Sequence, residues 1–301
     1  MADTVVVLTA ATALAAVFIG HLSLWRGHER RGYRLTSLGW VAFAAFWLLM
    51  LPTFALEMRS IVETLLALVC IPLSLSAAVL CWRGHEGIQT LSRALGITGV
   101  LYAAAMVPPI RQALVETVAT HTAVGIDALG YDPIRQSSAV HGFDSEFVFV
   151  DDAGNRYVTY IVLACTGIGA IATFTGLIFA ASAPLARKLK ALAVVVVGVW
   201  LLNIARNVFI AVAFGDQWFQ AGPLVALTHA VGYQDPALAS YFVADRLISQ
   251  SLSVLAVLVL VAVVVRLVPA SKTLFETVLE ITTRRTYDID PQTFTLRRKS
   301  D

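Results

Sequence analysis

Long apolar runs separated by short polar connections dominate the chain. A helix needs about 20 mainly apolar residues to cross a hydrocarbon core of ~30 Å at ~1.5 Å per residue. Seven stretches meet or approach that length: residues 4–25, 35–56, 60–82, 94–110, 158–182, 191–214 and 238–265. The fourth is short, and residues 215–237, with Trp218, Phe219 and Pro223, have room for a re-entrant piece, so six to eight spans fit the pattern. The expected fold is an all-α membrane protein, a polytopic bundle of about seven transmembrane helices with a small extracytoplasmic β-hairpin and loop region. Residues 1–268 form the transmembrane domain, interrupted by a loop insertion at 111–157, and residues 269–301 form a cytoplasmic tail. No basic residue precedes the first apolar run and nothing there resembles a cleaved signal peptide, so that helix is expected to stay in the mature protein.

Composition agrees with burial in lipid. Of 301 residues 58% are apolar and 14% charged, with a mean hydropathy of +0.76; a water-soluble domain carries about 25% charged residues. A formal net charge of +2 argues against a protein that lives on phosphate attraction, so no nucleic-acid partner is expected. Three cysteines without a CxxC pair make neither a disulfide framework nor a zinc finger. There is no HExxH, Walker A loop, GxGxxG or Gly-x-Ser-x-Gly elbow, and neither metal nor cofactor is expected.

Basic residues are retained on the cytoplasmic side of a membrane. The connections after the first, third and fifth stretches carry Arg26, Arg30, Arg31, Arg34, Arg83, Arg93, Arg187, Lys188 and Lys190. The C-terminal segment adds Arg266, Lys272, Arg284, Arg285, Arg297, Arg298 and Lys299, whereas the opposite connections hold Arg59, Arg111, Arg135 and Arg156. The N-terminus is therefore expected outside and the C-terminus in the cytoplasm. The segment 111–157 is rich in acid, including Glu116, Asp127, Asp144, Glu146, Asp151 and Asp152. Within it Phe147–Val150 and Arg156–Tyr160 flank Asp151-Asp152-Ala153-Gly154-Asn155, which predicts a β-hairpin feeding the fifth stretch. The tail from Ser271 reads as a solvated segment that touches anionic lipid. No inverted pair of broken helices marks a secondary transporter.

A charge at the centre of a spanning helix costs at least ~2.5 kcal/mol, so each needs an explanation. Cys165 lies about seven residues, or ~10 Å, below the outer edge if the fifth stretch is one helix. Arg206 and Arg246 lie about eight residues, ~12 Å, below the same edge on the next two. Three consecutive helices thus bring one thiol and two guanidiniums to one depth. Burial alone raises a thiol pKa and leaves it inert, whereas adjacent cations favour the nucleophilic thiolate. A guanidinium can also donate hydrogen bonds to the oxyanion formed when a carbonyl is attacked. Arg stays protonated, so an electrostatic role suits it better than that of a general base. Taken singly, either Arg can snorkel to the headgroups. Cys70 and Cys81, with no cation at their depth, read as packing residues. Asp245 points about 100° away from Arg246 on a regular helix and is not expected to pair with it.

At these positions the sequence resembles the exosortase/archaeosortase family of membrane cysteine transpeptidases. The nucleophile signature stands as Ala164-Cys165-Thr166-Gly167-Ile168, the second as Asn203-Ile204-Ala205-Arg206-Asn207, and the third as Tyr241-Phe242-Val243-Ala244-Asp245-Arg246. The motifs cover roughly residues 158–250, and the rest matches by topology. Bacterial exosortases carry His at the third position, where archaeosortase members look as if they use Arg. His229, in Thr228-His229-Ala230-Val231-Gly232, is the other candidate for it; Arg246 is favoured because His229 falls in an expected loop. His121 and His141 read as loop histidines.

The resemblance implies a transpeptidase acting on secreted proteins, such as surface-layer glycoproteins, that carry a C-terminal sorting signal: a short motif of Pro-Gly-Phe type, one transmembrane helix and a basic cluster. It implies that Cys165 attacks near the motif, forms an acyl-thioester and passes the acyl group to a membrane lipid. In that scheme Arg206 is the proton donor or thiolate partner and Arg246 the oxyanion stabiliser. Two readings stay open beside it. One is an intramembrane cysteine peptidase that only hydrolyses, with the same residues. The other is an anion-binding transporter that uses the Arg pair and does not need the thiol.

Overall fold

The computed structural model describes residues 2–85, 87–139, 142–283, 285, 287–290, 292 and 295–298. His141, Arg284 and Lys299, weighed above from the sequence, lie outside them. In chain order the elements are α1 (Ala2–Trp25), α2 (Glu29–Pro52), α3 (Ile61–Trp82), α4 (Gly87–Ala105), α5 (Pro108–Ala128), β1 (Ile134–Ser137), β2 (Asp144–Val150) and β3 (Arg156–Tyr160). A 3₁₀ turn, Leu163–Thr166, leads to α6 (Ile168–Ala180), α7 (Leu185–Gly215), α8 (Gly222–Ala230) and α9 (Leu238–Tyr241). The last runs into a π-helical segment, Phe242–Ser249, then α10 (Gln250–Leu267), α11 (Lys272–Thr283), β4 (Tyr287–Ile289) and β5 (Leu296–Arg298).

Among the described residues five helices are long and apolar enough to span a membrane: Thr4–Trp25, Glu29–Glu57, Ile61–Trp82, Leu185–Gly215 and Leu238–Leu267. A sixth exists if α4 and α5, bent by 84° at their break, count as one span. The architecture is that of an all-α polytopic membrane protein with a small antiparallel sheet. Two of the seven expected stretches differ in detail. The fourth ends at Ala105 because Pro108 and Pro109 cannot donate the backbone hydrogen bonds of a continuing helix; they open α5 instead, where those donors are not needed. The fifth is not one helix. Its first residues belong to β3 and the 3₁₀ turn, and only Ile168–Ala180 is α-helical.

The chain divides into two compact units. The first comprises Met1–Leu101, Ala172–Ala193 and Val259–Asp301. Here α1 and α2 pack through small residues: a Cβ on Gly20 would lie 2.3 Å from Thr36 Oγ1, and one on Gly39 2.7 Å from Val17 Cγ2. Lipid offers helices no hydrophobic reason to associate, so close backbone approach and interhelical hydrogen bonds take over. Ser37 Oγ donates to the Ala78 carbonyl at 2.8 Å, and Trp40 Nε1 to Ser92 Oγ at 2.8 Å. Cys81 is buried with its thiol donating to the Tyr33 carbonyl at 3.4 Å, as a packing cysteine should. The C-terminal segment departs from the solvated tail expected of it. Leu274, Thr277 and Ile281 recur at helical spacing and bury one face of α11. Leu274 meets Ala94 and Ala180, while Ile281 joins Trp40, Ala77 and Ala78.

The second unit, Tyr102–Ile171 and Val194–Leu258, holds the sheet and the site. Its strands run antiparallel in the order β1-β2-β3, with Val150 opposite Arg156 and Val148 opposite Val158, so the expected hairpin is present with one further strand. Asp151 closes the turn, its carboxylate accepting from the backbone N–H groups of Ala153 (3.0 Å) and Asn155 (2.8 Å), Asn155 Nδ2 (2.8 Å) and the Tyr157 hydroxyl (3.1 Å). Phe147 and Phe149 of β2 pack on Val115, Val118 and Ile126 of α5 and on Val208 and Val212 of α7. Most of residues 108–128, read from sequence as loop, is therefore a helix that carries the sheet's core face.

Candidate active site

The site starts from a turn that the local sequence cannot avoid. After β3 the Cys165 N–H donates to the Val162 carbonyl at 2.8 Å, and the Thr166 hydroxyl donates to the Leu163 carbonyl at 2.7 Å. Gly167 then adopts φ +74°, a left-handed conformation that costs a residue with a Cβ ~1–2 kcal/mol. A Cβ there would also lie 3.0 Å from Val199 Cγ1 and 3.4 Å from Asn203 Cγ, so glycine lets the turn approach α7. Cys165 consequently stands on a 3₁₀ turn at the N-terminal end of α6. It is not seven residues down a continuous helix, and the depth arithmetic fails for it because the residues before it form strand β3 and the 3₁₀ turn.

α7 supplies the partners. Asn203, Arg206 and Asn207 stand at i, i+3 and i+4 and share one helix face. The side-chain amides of Asn203 and Asn207 both donate to the Cys165 carbonyl, the latter at 2.9 Å. The clasp holds the backbone of Cys165 against the face of α7 that carries Arg206. Arg206 Nη2 donates to Asp245 Oδ1 in an ion pair. The second carboxylate oxygen, Oδ2, lies 3.4 Å from Arg246 Nε. Asp245 is 5% exposed, and its carboxylate links the two guanidiniums.

That link overturns the expectation that Asp245 points away. The 100° stagger holds for an α-helix, but Phe242–Ser249 is π-helical, with i→i+5 bonds and more residues per turn, so consecutive side chains diverge less. Asp245 and Arg246 thereby face one region. Tyr241 packs edge-on against Phe214 of α7 with ring centroids 5.9 Å apart.

His229 lies exposed in the last turn of α8, and among the described residues it makes no hydrogen bond or ion pair with this network. A separate open groove of about 660 Å³, lined by His121, Gly125, Trp200, Ile204, Val208 and Trp218, does not include Cys165. No group of three or more His, Cys, Asp or Glu able to hold a metal occurs among the described residues.

The sequence reading missed the paired asparagines and Asp245. The asparagines were visible in principle: two amides flanking an intramembrane Arg on its own face are polar groups that lipid cannot satisfy. Asp245 needed the π-helical geometry.

A polytopic helical protein with a cysteine turn held against an arginine-bearing helix invites comparison with known families. Residues 6–229 match the family model described as transmembrane exosortase (Exosortase_EpsH), and the chain belongs to that family. Among curated relatives, it is 38% identical over 291 residues to Archaeosortase A of Haloferax volcanii, covering 92% of this chain and 95% of the relative. It is 37% identical over 281 residues to Archaeosortase A of Natronomonas pharaonis, covering 89% and 86% of the two chains. No solved structure matches. The protein is a multi-pass membrane protein of this family.

Proposed function

We propose that the protein is a membrane-embedded cysteine transpeptidase of archaeosortase type, with Cys165 as nucleophile. It cleaves a C-terminal sorting signal from secreted proteins and transfers them to a membrane lipid. The observation that carries this reading is the Cys165 turn, pinned by Asn203 and Asn207 to the face of α7 that carries Arg206. Family membership and the Archaeosortase A relatives support the reaction class.

In the first step the sulfur attacks the scissile carbonyl, the C–S bond forms and the C–N bond breaks. The proton of the thiol ends on the departing amine, which leaves with the substrate's transmembrane helix. Arg206 steadies the sulfur as its proton leaves, and Arg246 is assigned to the oxyanion. In the second step a lipid amine or hydroxyl attacks the thioester, the C–S bond breaks and the nucleophile's proton restores the thiol. The distribution of basic residues supports an outside N-terminus, a cytoplasmic C-terminus and a site that opens toward the exterior. The 144–160 hairpin is then extracytoplasmic, on the side from which a secreted protein arrives.

Hydrolysis without a lipid acceptor uses the same thioester and differs only in product. An anion-binding transporter fits less well, because Asp245 already engages both guanidiniums. The test is mass spectrometry of membranes incubated with a protein carrying a Pro-Gly-Phe-type signal, run without hydroxylamine and again with it, which releases thioesters and removes the adduct. An acyl adduct on the Cys165 peptide, absent in Cys165→Ala, is expected. Continued processing by Cys165→Ala overturns the reading.

A further inference from the structure

The reaction scheme uses a thiol and two guanidiniums and leaves the most buried charge of the cluster, Asp245, without a part. Its surroundings define one. Each carboxylate oxygen faces a different guanidinium: Oδ1 accepts from Arg206, and Oδ2 lies beside Arg246. At 5% exposure water does not replace these partners. Two guanidiniums drawn together without an intervening carboxylate repel each other in a medium where charge is poorly screened. Arg206 is 24% exposed at its side chain and has somewhere to go when released. The asparagine clasp holds the backbone of Cys165, not Arg206, so nothing in that clasp returns the guanidinium to the sulfur. The π-helical segment is what turns the Asp245 carboxylate toward both arginines, and such segments in helices frequently occur at functional sites.

We infer that Asp245 is a positioning residue of the transpeptidase, whose bridging carboxylate holds Arg206 against the Cys165 thiol and Arg246 alongside it. This rests on the function proposed above. Asp245 does not touch substrate; it acts through the arginines. As an isolated charge, Asp245 would merely oppose ionisation of Cys165, and its removal would make the thiol easier to ionise. As a positioning residue its removal does the opposite, because Arg206 leaves the sulfur. The two roles predict shifts of opposite sign.

The experiment follows alkylation of Cys165 by iodoacetamide in intact membranes across pH, read on the Cys165 peptide by mass spectrometry, beside processing of a Pro-Gly-Phe-type substrate. It uses the parent, Asp245→Asn, Asp245→Glu, Arg206→Ala and the Asp245→Asn/Arg206→Ala pair. For Asp245→Asn the expected result is a loss of processing of ~10²-fold, the scale of a catalytic group displaced by about an ångström. Its alkylation midpoint moves to higher pH, onto that of Arg206→Ala, and the double variant moves no further, since groups acting as one unit are not additive. Asp245→Glu keeps the charge and both oxygens that bridge the guanidiniums, so its processing is expected to stand clearly above that of Asp245→Asn. A midpoint in Asp245→Asn that falls or stays parental overturns the inference, as does Asp245→Glu as inactive as Asp245→Asn. Should Asp245→Asn fail to insert, Asp245→Glu against Arg206→Ala carries the comparison alone. Cys165→Ala separates the two levels: if it still processes substrate the proposed function itself is wrong, and if it is inactive while Asp245→Asn remains active only the positioning role is.

Discussion

At the scale of single residues, hydrogen-bond geometry decides more than charge. Arg206 donates to the Asp245 carboxylate, and the proposed mechanism asks it to serve the Cys165 sulfur as well. A lysine is a compact point charge without the planar fork needed to span both. Arg206→Lys is therefore expected to keep the buried charge yet lose processing by ~10²- to 10³-fold, as when one oxyanion donor is removed; turnover of a sorting-signal substrate measures it. Asp151 offers a test by pH outside the membrane. Its hydrogen bonds from Asn155, side chain first and then backbone, hold its carboxyl below the ordinary carboxylate range, with smaller help from Tyr157 and Ala153. Because the folded value is depressed, the turn's stabilisation is complete above the ordinary range. It is lost as the pH falls through the lowered value. Asp151→Ala should loosen residues 150–157 already at neutral pH, seen as faster hydrogen exchange corrected for intrinsic rate, whereas the parent should show that loosening only in acid. Cys165 and Arg206 were legible as candidates from the cost of polar groups in lipid. Asp245 was not, because its α-helical stagger argued against the pairing that a π-helical segment permits.

Among elements, the 3₁₀ turn before α6 matters most to the site. Gly167→Ala places a Cβ in a left-handed conformation and 3.0 Å from Val199 Cγ1. The conformational part alone costs ~1–2 kcal/mol. The turn is expected to move off Asn203 and Asn207, so processing falls while membrane insertion remains normal. Comparing yield in membranes with turnover separates the two effects. Asn207→Leu should behave similarly with less loss, since Asn203 still binds the Cys165 carbonyl. The hairpin was readable from β-formers around Asp151–Asn155 because such turns are local. α5 was harder to read: its polar residues resemble a loop, and it is a helix because Val115, Val118, Ala119 and Ile126 meet β2 and α7, elements distant in sequence.

For the whole molecule, hydropathy and basic residues carry the large features. Labelling from outside should reach a cysteine at Ser137 and spare one at Thr273, both exposed positions, if the C-terminus is cytoplasmic; reaction of Thr273→Cys with an impermeant reagent would reverse the proposed orientation. The sequence alone determined the membrane class, the multi-pass plan, the hairpin, the family and the thiol and arginine worth examining. Each depends on composition, short-range turns or the fixed cost of polar groups in lipid. Only the tertiary structure decided that Cys165 stands on a turn, that two asparagines clasp its carbonyl, that Asp245 joins the arginines and that α11 buries an apolar face. Those outcomes depend on where residues some 40 positions apart come together, and on local departures from α-helical geometry that hydrophobic periodicity does not encode.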